Sequence, residues 1–218
     1  MVYDYDITIT TNNDVNITSI TSENHSTISL TSKNGSINVV PVSLENPAHI
    51  NGGNIVINAI NGHVGTAVNP LTVARDGVYN VVAKDDIYIK SYERIYTDLI
   101  KSTGGLVDLS ADYGIIATES SDNLFYNIYS VTGVNLASKS GNIENIAVNT
   151  NGVINAIAGY TGNTISGMND ISLTLITKQG LSQDYVNNLT TDEEKLAAYN
   201  TYVSGLNDMK IGNIKASK

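Results

Sequence analysis

STISLTSKNGSI (26–37) and GNIVINAINGHV (53–64) decide the fold, because they match position for position without a gap. In both, apolar residues alternate with other residues (Ile28, Leu30; Ile55, Ile57), a small residue follows (Ser32; Ala59), and a glycine stands three places later (Gly35; Gly62). Alternation with period two marks a strand with one buried face. A small inward side chain suits a tight corner, and glycine after two polar residues marks a turn. A second short strand then starts at Ile37 or Val64, pointing inward.

The same pattern recurs in GVYNVVAKDDIY (77–88), GLVDLSADYGII (105–116), TGVNLASKSGNI (132–143) and ISLTLITKQGLS (171–182), and more weakly in YDITITTNNDVN (5–16). The third position holds Ile7, Tyr79, Val107, Val134 and Leu173, and the fifth Ile9, Val81, Leu109, Leu136 and Leu175. The seventh is small throughout (Thr11, Ala83, Ala111, Ser138, Thr177), and the tenth is Asp14, Asp86, Gly114, Gly141 or Gly180. Ile116 and Ile143 are expected to face inward on the second strand. The unit reads strand, corner, strand, return. Its copies match in the same chain direction, and no Asn-Gly hairpin joins two strands at the required place. Equivalent strands therefore stack parallel, which gives an all-β, right-handed parallel β-helix of about seven or eight coils over residues 1–218. An antiparallel sandwich is the competing architecture.

Composition agrees with such a coil. The chain has 218 residues with 28 Asn, 21 Thr and 26 Ile, and stacked Asn and Thr can form ladders between coils. Charged residues are only 15% and the net charge is −9, which argues against nucleic acid and anionic membrane surfaces as partners. Phe occurs once and Trp not at all, so Ile, Val and Leu must fill the core. The absence of cysteine removes disulfides, thiolate catalysis and Cys-based zinc sites. No run approaches the ~20 apolar residues of a membrane span, and the start carries no signal-peptide pattern.

Two stretches leave the pattern. NGVINAIAGYTG (151–162) reads as an irregular coil with Val153, Ile154 and Ile157 out of register. LSQDYVNNLTTDEEKLAAYNTYVSGLND (181–208) switches to helical spacing, with Thr191 and Glu194 as a capping box, Leu196, Tyr199 and Val203 on one face, and Gly205 as a C-cap. The expectation is a helical insertion over 182–205, with helices near 183–188 and 192–204. The strand pattern resumes at Asp208 with Met209 and Ile211 inward. Neither terminus offers a convincing capping element, so the segment is expected to be an excerpt of a longer fibrous protein.

GNIVINAINGHVGTAVNPLTVARDGVYNVVAKDDIYI (53–89) resembles the repeats of the leukotoxin-type and filamentous-haemagglutinin-type exoproteins of Gram-negative bacteria. The matching positions are Gly62, Val64, Gly65, Asn69, Pro70, Leu71 and Gly77, and the likeness covers roughly 5–180. It implies a right-handed parallel β-helix in a large secreted surface protein, exported by a two-partner route through an outer-membrane transporter and serving attachment or cytotoxicity. The chain departs from that family in lacking the secretion domain and signal at its start, and in the helical insertion.

Chemistry-bearing residues are sparse. Asp85 and Asp86 with His63 one coil earlier could serve general acid–base work on a glycosidic bond, but Asp86 and Asp112 sit where turns need Asp or Gly. The chain has only two arginines, Arg75 and Arg94, to hold an acidic sugar. His25, His49 and His63 lack metal-ligand spacing and read as surface or loop histidines. No calcium loop, phosphate loop or dinucleotide motif is present, so no catalytic residue, metal or cofactor is expected. Tyr79, Tyr88, Tyr92, Tyr96, Tyr113, Phe125, Tyr126 and Tyr129 cluster in sequence. Tyr88, Tyr92 and Tyr96, with Tyr199 and Tyr202 on the insertion, are the candidate binding residues, for stacking on sugar rings or anchoring a protein. The alternative is that tyrosines cap corners of the core.

The sequence thus points to a non-enzymatic stalk segment of a secreted surface adhesin or leukotoxin. Its expected partners are a host glycan or cell-surface protein, with no nucleic acid and no membrane insertion. The alternative is a carbohydrate-active β-helix, either a polysaccharide lyase or a tailspike-like glycoside hydrolase.

Overall fold

The computed structural model describes residues 5–22, 26–40, 49–118 and 127–158, together with the strand backbones at 160–161, 164–165, 171–176 and 210–215. The helices expected within 182–205 lie outside the described residues.

The chain is a parallel β-solenoid whose coils contribute one strand to each of two long sheets, except that one coil places both β13 and β14 in the first. The first sheet holds β1 (Ile7–Thr11), β4 (Ile28–Ser32), β7 (Ile55–Ala59), β9 (Gly77–Ala83), β11 (Ile95–Ser102), β13 (Ile115–Ala117), β14 (Ile128–Ser130), β16 (Ile143–Thr150) and β20 (Ile171–Ile176). The second holds β3 (Ile20–Thr21), β6 (Ile50–Asn51), β8 (Leu71–Val73), β10 (Ile87–Ser91), β12 (Leu106–Ala111), β15 (Gly133–Ser138), β17 (Val153–Ala158) and β21 (Lys210–Lys215). β2 (Val15–Ile17) pairs β5 (Ile37–Val39) and continues through Val64 to Ile87. Among the described residues only β18 (Tyr160–Thr161) and β19 (Thr164–Ile165) pair antiparallel.

Inward residues stack into continuous columns. Ile9 lies beside Leu30, then Ile57, Val81, Ile100, Ile128 and Val148, and Leu175 takes the next register position. In the second sheet Leu71, Ile89, Leu109, Leu136 and Ala156 form the equivalent column, with Ile214 next in register. The described columns are buried at their centres and only half-buried at Ile7 and Ile9. Each coil therefore buries its aliphatic residues only because a neighbour stacks on it, about 4.8 Å away.

Three readings of the sequence need correction. The windows at 105 and 132 belong to the second sheet, since Val107 pairs with Ile87 and Val134 rather than continuing the column of Ile28 and Ile55. Both sheets end their strands in the same small residue, polar pair and Gly or Asp, so the two halves of a coil look alike in sequence. Residues 153–158 are not out of register. They form β17, paired one to one with β15, and Ile154, Ala156 and Ala158 face inward while Val153 is exposed. Finally, Ile115 is buried and Ile116 is half-exposed, the reverse of the expected orientation. The strand expected to resume near residue 208 is present as β21, paired with β17.

The corners show why small residues are required. Ser102 is fully buried, and its Oγ accepts the Gly105 amide at 2.8 Å and donates to the Asp85 carbonyl of the preceding coil at 2.7 Å. Ser32 bonds Gly35 N at 3.0 Å and Asn13 O at 2.8 Å, and Ser130 bonds Gly133 N at 3.1 Å and Gly105 O at 2.7 Å, in the same way. At Ser32, Ser102 and Ser130 the hydroxyl closes its own turn and ties two coils together, whereas Ser138 bonds only Gly141. Alanine at positions 59, 83 and 111 keeps the size without the bond.

Candidate functional site

The outward positions carry whatever the solenoid presents. On the second sheet Tyr88 faces out between the buried Ile87 and Ile89, in register with Asp108 of the next coil. Partial burial raises its pKa, and the charges of Asp86 and Asp108 push it the same way. Tyr92 stands at the corner after Ser91, with the Lys90 ammonium 5.0 Å from its ring centre. Tyr96 is on the outer side of the first sheet, half-exposed between Val78 and Ile116 in adjacent coils. The three tyrosines grouped from sequence therefore occupy one sheet, a corner and the other sheet, and do not form a single site. Tyr199 and Tyr202 lie outside the described residues. Tyr79 is no corner cap either, for it is the largest fully buried side chain.

What the fold does bring together is a patch on the outer side of the first sheet. Val78, Tyr96 and Ile116 form one outward row there. Lys101 and Tyr129 are register partners in a neighbouring row, with the Lys101 ammonium 5.6 Å from the Tyr129 ring centre. β11 bulges between Thr97 and Leu99, leaving Asp98 unmatched, so the rows are offset there. The pairing of Lys101 with Tyr129 is invisible in sequence, because 28 positions separate them. A signal was available only in the parallel register of Ile100 with Ile128. Chemically the patch offers flat apolar area, aromatic faces and a lysine held over one of them, a combination that suits stacking.

Of the acids considered for catalysis, Asp86 makes a bond between coils. Asp86 Oδ1 accepts the Leu106 amide of the next coil at 2.7 Å. Asp6 does the same for Thr27 at 2.8 Å, Asp14 for Ser36 at 2.8 Å and Asp76 for Arg94 at 2.7 Å. A carboxylate just before a strand thus staples its coil to the next one through a charge-assisted bond. Compared with family models, curated proteins and solved structures, the chain matches none.

One constellation resembles a nucleophile with its base. His63 Nδ1 lies 3.1 Å from Ser36 Oγ, in the column that leads on to Asp86. The hydroxyl also accepts the His63 amide at 3.2 Å and is roofed by Gly62, where an added Cβ would come within 2.3 Å of it. Ser36 is itself buried. Among the described residues no group of three His, Asp or Glu side chains is placed to hold a metal ion.

His49 departs from the expectation of a surface or loop histidine. It is buried, its Nδ1 accepts from the Thr72 hydroxyl at 2.7 Å and the Thr72 amide at 3.2 Å, and its Nε2 donates to the Val40 carbonyl at 2.7 Å. This imidazole fastens the second coil to the third beside β6. His25 lies outside the described residues. Outward amides form the ladders that composition suggested: Asn155 donates to Asn135 at 2.9 Å, and Asn135 to Asp108 at 3.0 Å. Burial raises the Asp108 pKa, and the Asn135 bond opposes the rise.

Proposed function

We propose that the chain is a non-catalytic rod segment of a secreted bacterial surface protein that attaches to host glycans or cell-surface proteins through the outer side of its first sheet. The observation that carries this reading is the division of labour among polar groups. Corner acids and hydroxyls are engaged in bonds between coils, whereas Tyr96, Tyr129 and Lys101 stand on the outer face. The resemblance of residues 53–89 to filamentous-haemagglutinin-type repeats supports export of a longer parent by an outer-membrane transporter, and supports attachment or cytotoxicity as its role.

The test is binding of the immobilised chain to host-cell glycans and membrane-protein extracts. Tyr96→Ala and Tyr129→Ala, each losing a stacking face, should weaken capture by roughly tenfold, the effect of about 1.4 kcal/mol. Unchanged capture in both variants would sink the assignment of the face. In parallel, acidic and neutral polysaccharides are incubated with the protein. Turnover that disappears in Asp86→Asn would replace the structural reading by a lyase or hydrolase, since asparagine can still accept the Leu106 amide.

A further inference from the structure

We propose that Asn61 is a site of spontaneous covalent modification, which loses ammonia to become aspartate or isoaspartate ahead of the other asparagines that precede glycine. Four Asn-Gly pairs occur in the sequence: Asn34–Gly35, Asn51–Gly52, Asn61–Gly62 and Asn151–Gly152. In such a pair no side chain hinders attack of the glycine nitrogen on the asparagine Cγ. The new C–N bond closes a succinimide ring, the carboxamide C–N bond breaks, and the glycine proton reaches the departing nitrogen through water, so that ammonia leaves. Water then opens the ring at Cγ to give isoaspartate's isomer aspartate, or at the main-chain carbonyl to give isoaspartate. No oxidant, reductant or cofactor is needed, and because the attack is intramolecular its rate depends on how free the nucleophile is.

The corners decide which glycine nitrogen is free. Gly35 donates its amide to Ser32 Oγ at 3.0 Å, and Gly152 donates to Thr150 Oγ1 at 3.1 Å, both in part-buried bonds. Each of these nucleophiles is held by a corner hydroxyl, and that bond must break before attack. The corner before Gly62 carries Ala59 instead, and the Gly62 amide reaches only the Ala59 carbonyl, at 3.4 Å, the longest and weakest of the three contacts. Asn51 is set apart differently, because it lies in β6 and its Oδ1 is buried away from water. Asn61 is exposed, which gives water the access that both steps need.

The change falls on a joint between coils. Asn61 Nδ2 donates to the Lys33 carbonyl of the second coil at 2.9 Å, and water competes for this exposed bond, so it restrains the carboxamide only weakly. A carboxylate cannot make it, having no proton to donate. The Gly62 carbonyl accepts the Asp85 amide of the fourth coil at 3.0 Å, and isoaspartate inserts a methylene into the backbone just before that link. The new negative charge also stands one coil from Asp85 and Asp86, where like charges repel. The conversion is one-way, so it records the age of the rod and loosens the corner that ties the third coil to its neighbours.

The experiment is peptide mapping by mass spectrometry of the folded 218-residue chain after weeks in warm, mildly alkaline buffer, with isoaspartate resolved by its separate elution. Asn61 should convert about tenfold faster than Asn34 and Asn151, the effect of roughly one hydrogen bond on the nucleophile. In denaturant the three rates should converge. Ala59→Ser installs the hydroxyl that Ser32 supplies one coil earlier, and it should slow Asn61 by about tenfold; Ser32→Ala should speed Asn34 by a similar factor. Circular dichroism establishes that each variant is folded, and the ranking in the unsubstituted chain decides the case if either is not. Conversion of Asn34 or Asn151 ahead of Asn61, or no conversion at Asn61, would overturn the proposal. So would a rate at Asn61 unchanged in folded Ala59→Ser, or an order that persists in denaturant, which would trace it to local sequence.

Discussion

Replacing Ser102 by alanine tests whether corner hydroxyls hold successive coils together. The substitution removes two bonds, one from the buried Gly105 amide at 2.8 Å and one to the Asp85 carbonyl of the coil beneath at 2.7 Å. The buried Gly105 amide then lacks a partner, at about 1–2 kcal/mol, whereas the Asp85 carbonyl belongs to an exposed residue and adds about 0.5–1 kcal/mol, so the expected loss is roughly 1.5–3 kcal/mol. Ser138→Ala is the internal control. Its hydroxyl bonds the amide at 3.1 Å and carbonyl at 2.6 Å of Gly141 alone, with no link to a neighbouring coil, and about 1 kcal/mol is expected. A solenoid need not unfold as one unit, so the appropriate assay is native-state hydrogen exchange at single amides. In Ser102→Ala the Gly105 and Leu106 amides should exchange about 10- to 150-fold faster, the equivalent of those energies. Equal effects of the two substitutions, or unchanged exchange at Gly105, would refute the coil-tying role.

Three further outcomes follow from the core, the ladder and a corner. Tyr79 is fully buried with no hydrogen bond to its hydroxyl, so Tyr79→Phe should hold or raise stability by up to about 1–2 kcal/mol in denaturant unfolding; a clear loss would reveal a bond, most directly to Ser91. Because burial raises the folded-state pKa of Asp108, its ionisation opposes folding, and stability contributed at this position rises as pH falls through the raised value. Asp108→Asn, which preserves an acceptor for Asn135, should therefore stabilise at neutral pH, with a gain that shrinks toward about pH 4; a gain independent of pH would contradict this. Gly62→Ala should cost roughly 1–3 kcal/mol, because its Cβ would fall 2.3 Å from Ser36 Oγ and 2.6 Å from the Gly35 carbonyl, whereas Gly104→Ala meets only Lys84 O at 3.0 Å and should cost less; thermal melts showing the reverse order would be decisive against it.

The parallel stacking was legible because apolar alternation, a small corner residue and a turn residue recur together, and Ile28, Leu30, Ile55 and Ile57 fall where that grammar puts them. Which sheet each copy joins was not legible. A strand ending in Ala111 reads like one ending in Ala59, although they lie on different sides of the coil. The strand Ile95–Ser102 does not stand out as a coil member because its bulge at Asp98 breaks the alternation. Asp86 was recognisable as a turn acid, but its partner Leu106 lies a whole coil away and follows only from register. The outward patch is the least legible, since Tyr96 and Tyr129 become neighbours of Val78 and Lys101 through pairings that span 18 and 28 positions, and a bulge at Asp98 offsets the two rows.

The coil in which β13 and β14 share one rung has a practical corollary. Ala117 lies opposite Thr97 and Ile128 opposite Ile100, so the two strands meet the same neighbouring strand three positions apart. Thr66 to Asn69, exposed or half-exposed, lies in a similar gap between Val64 and Leu71 on the other sheet. The Thr66–Asn69 turn is a ready-made graft point: a guest peptide exchanged there would alter the cargo on the shaft while its length and its interior stay as they were.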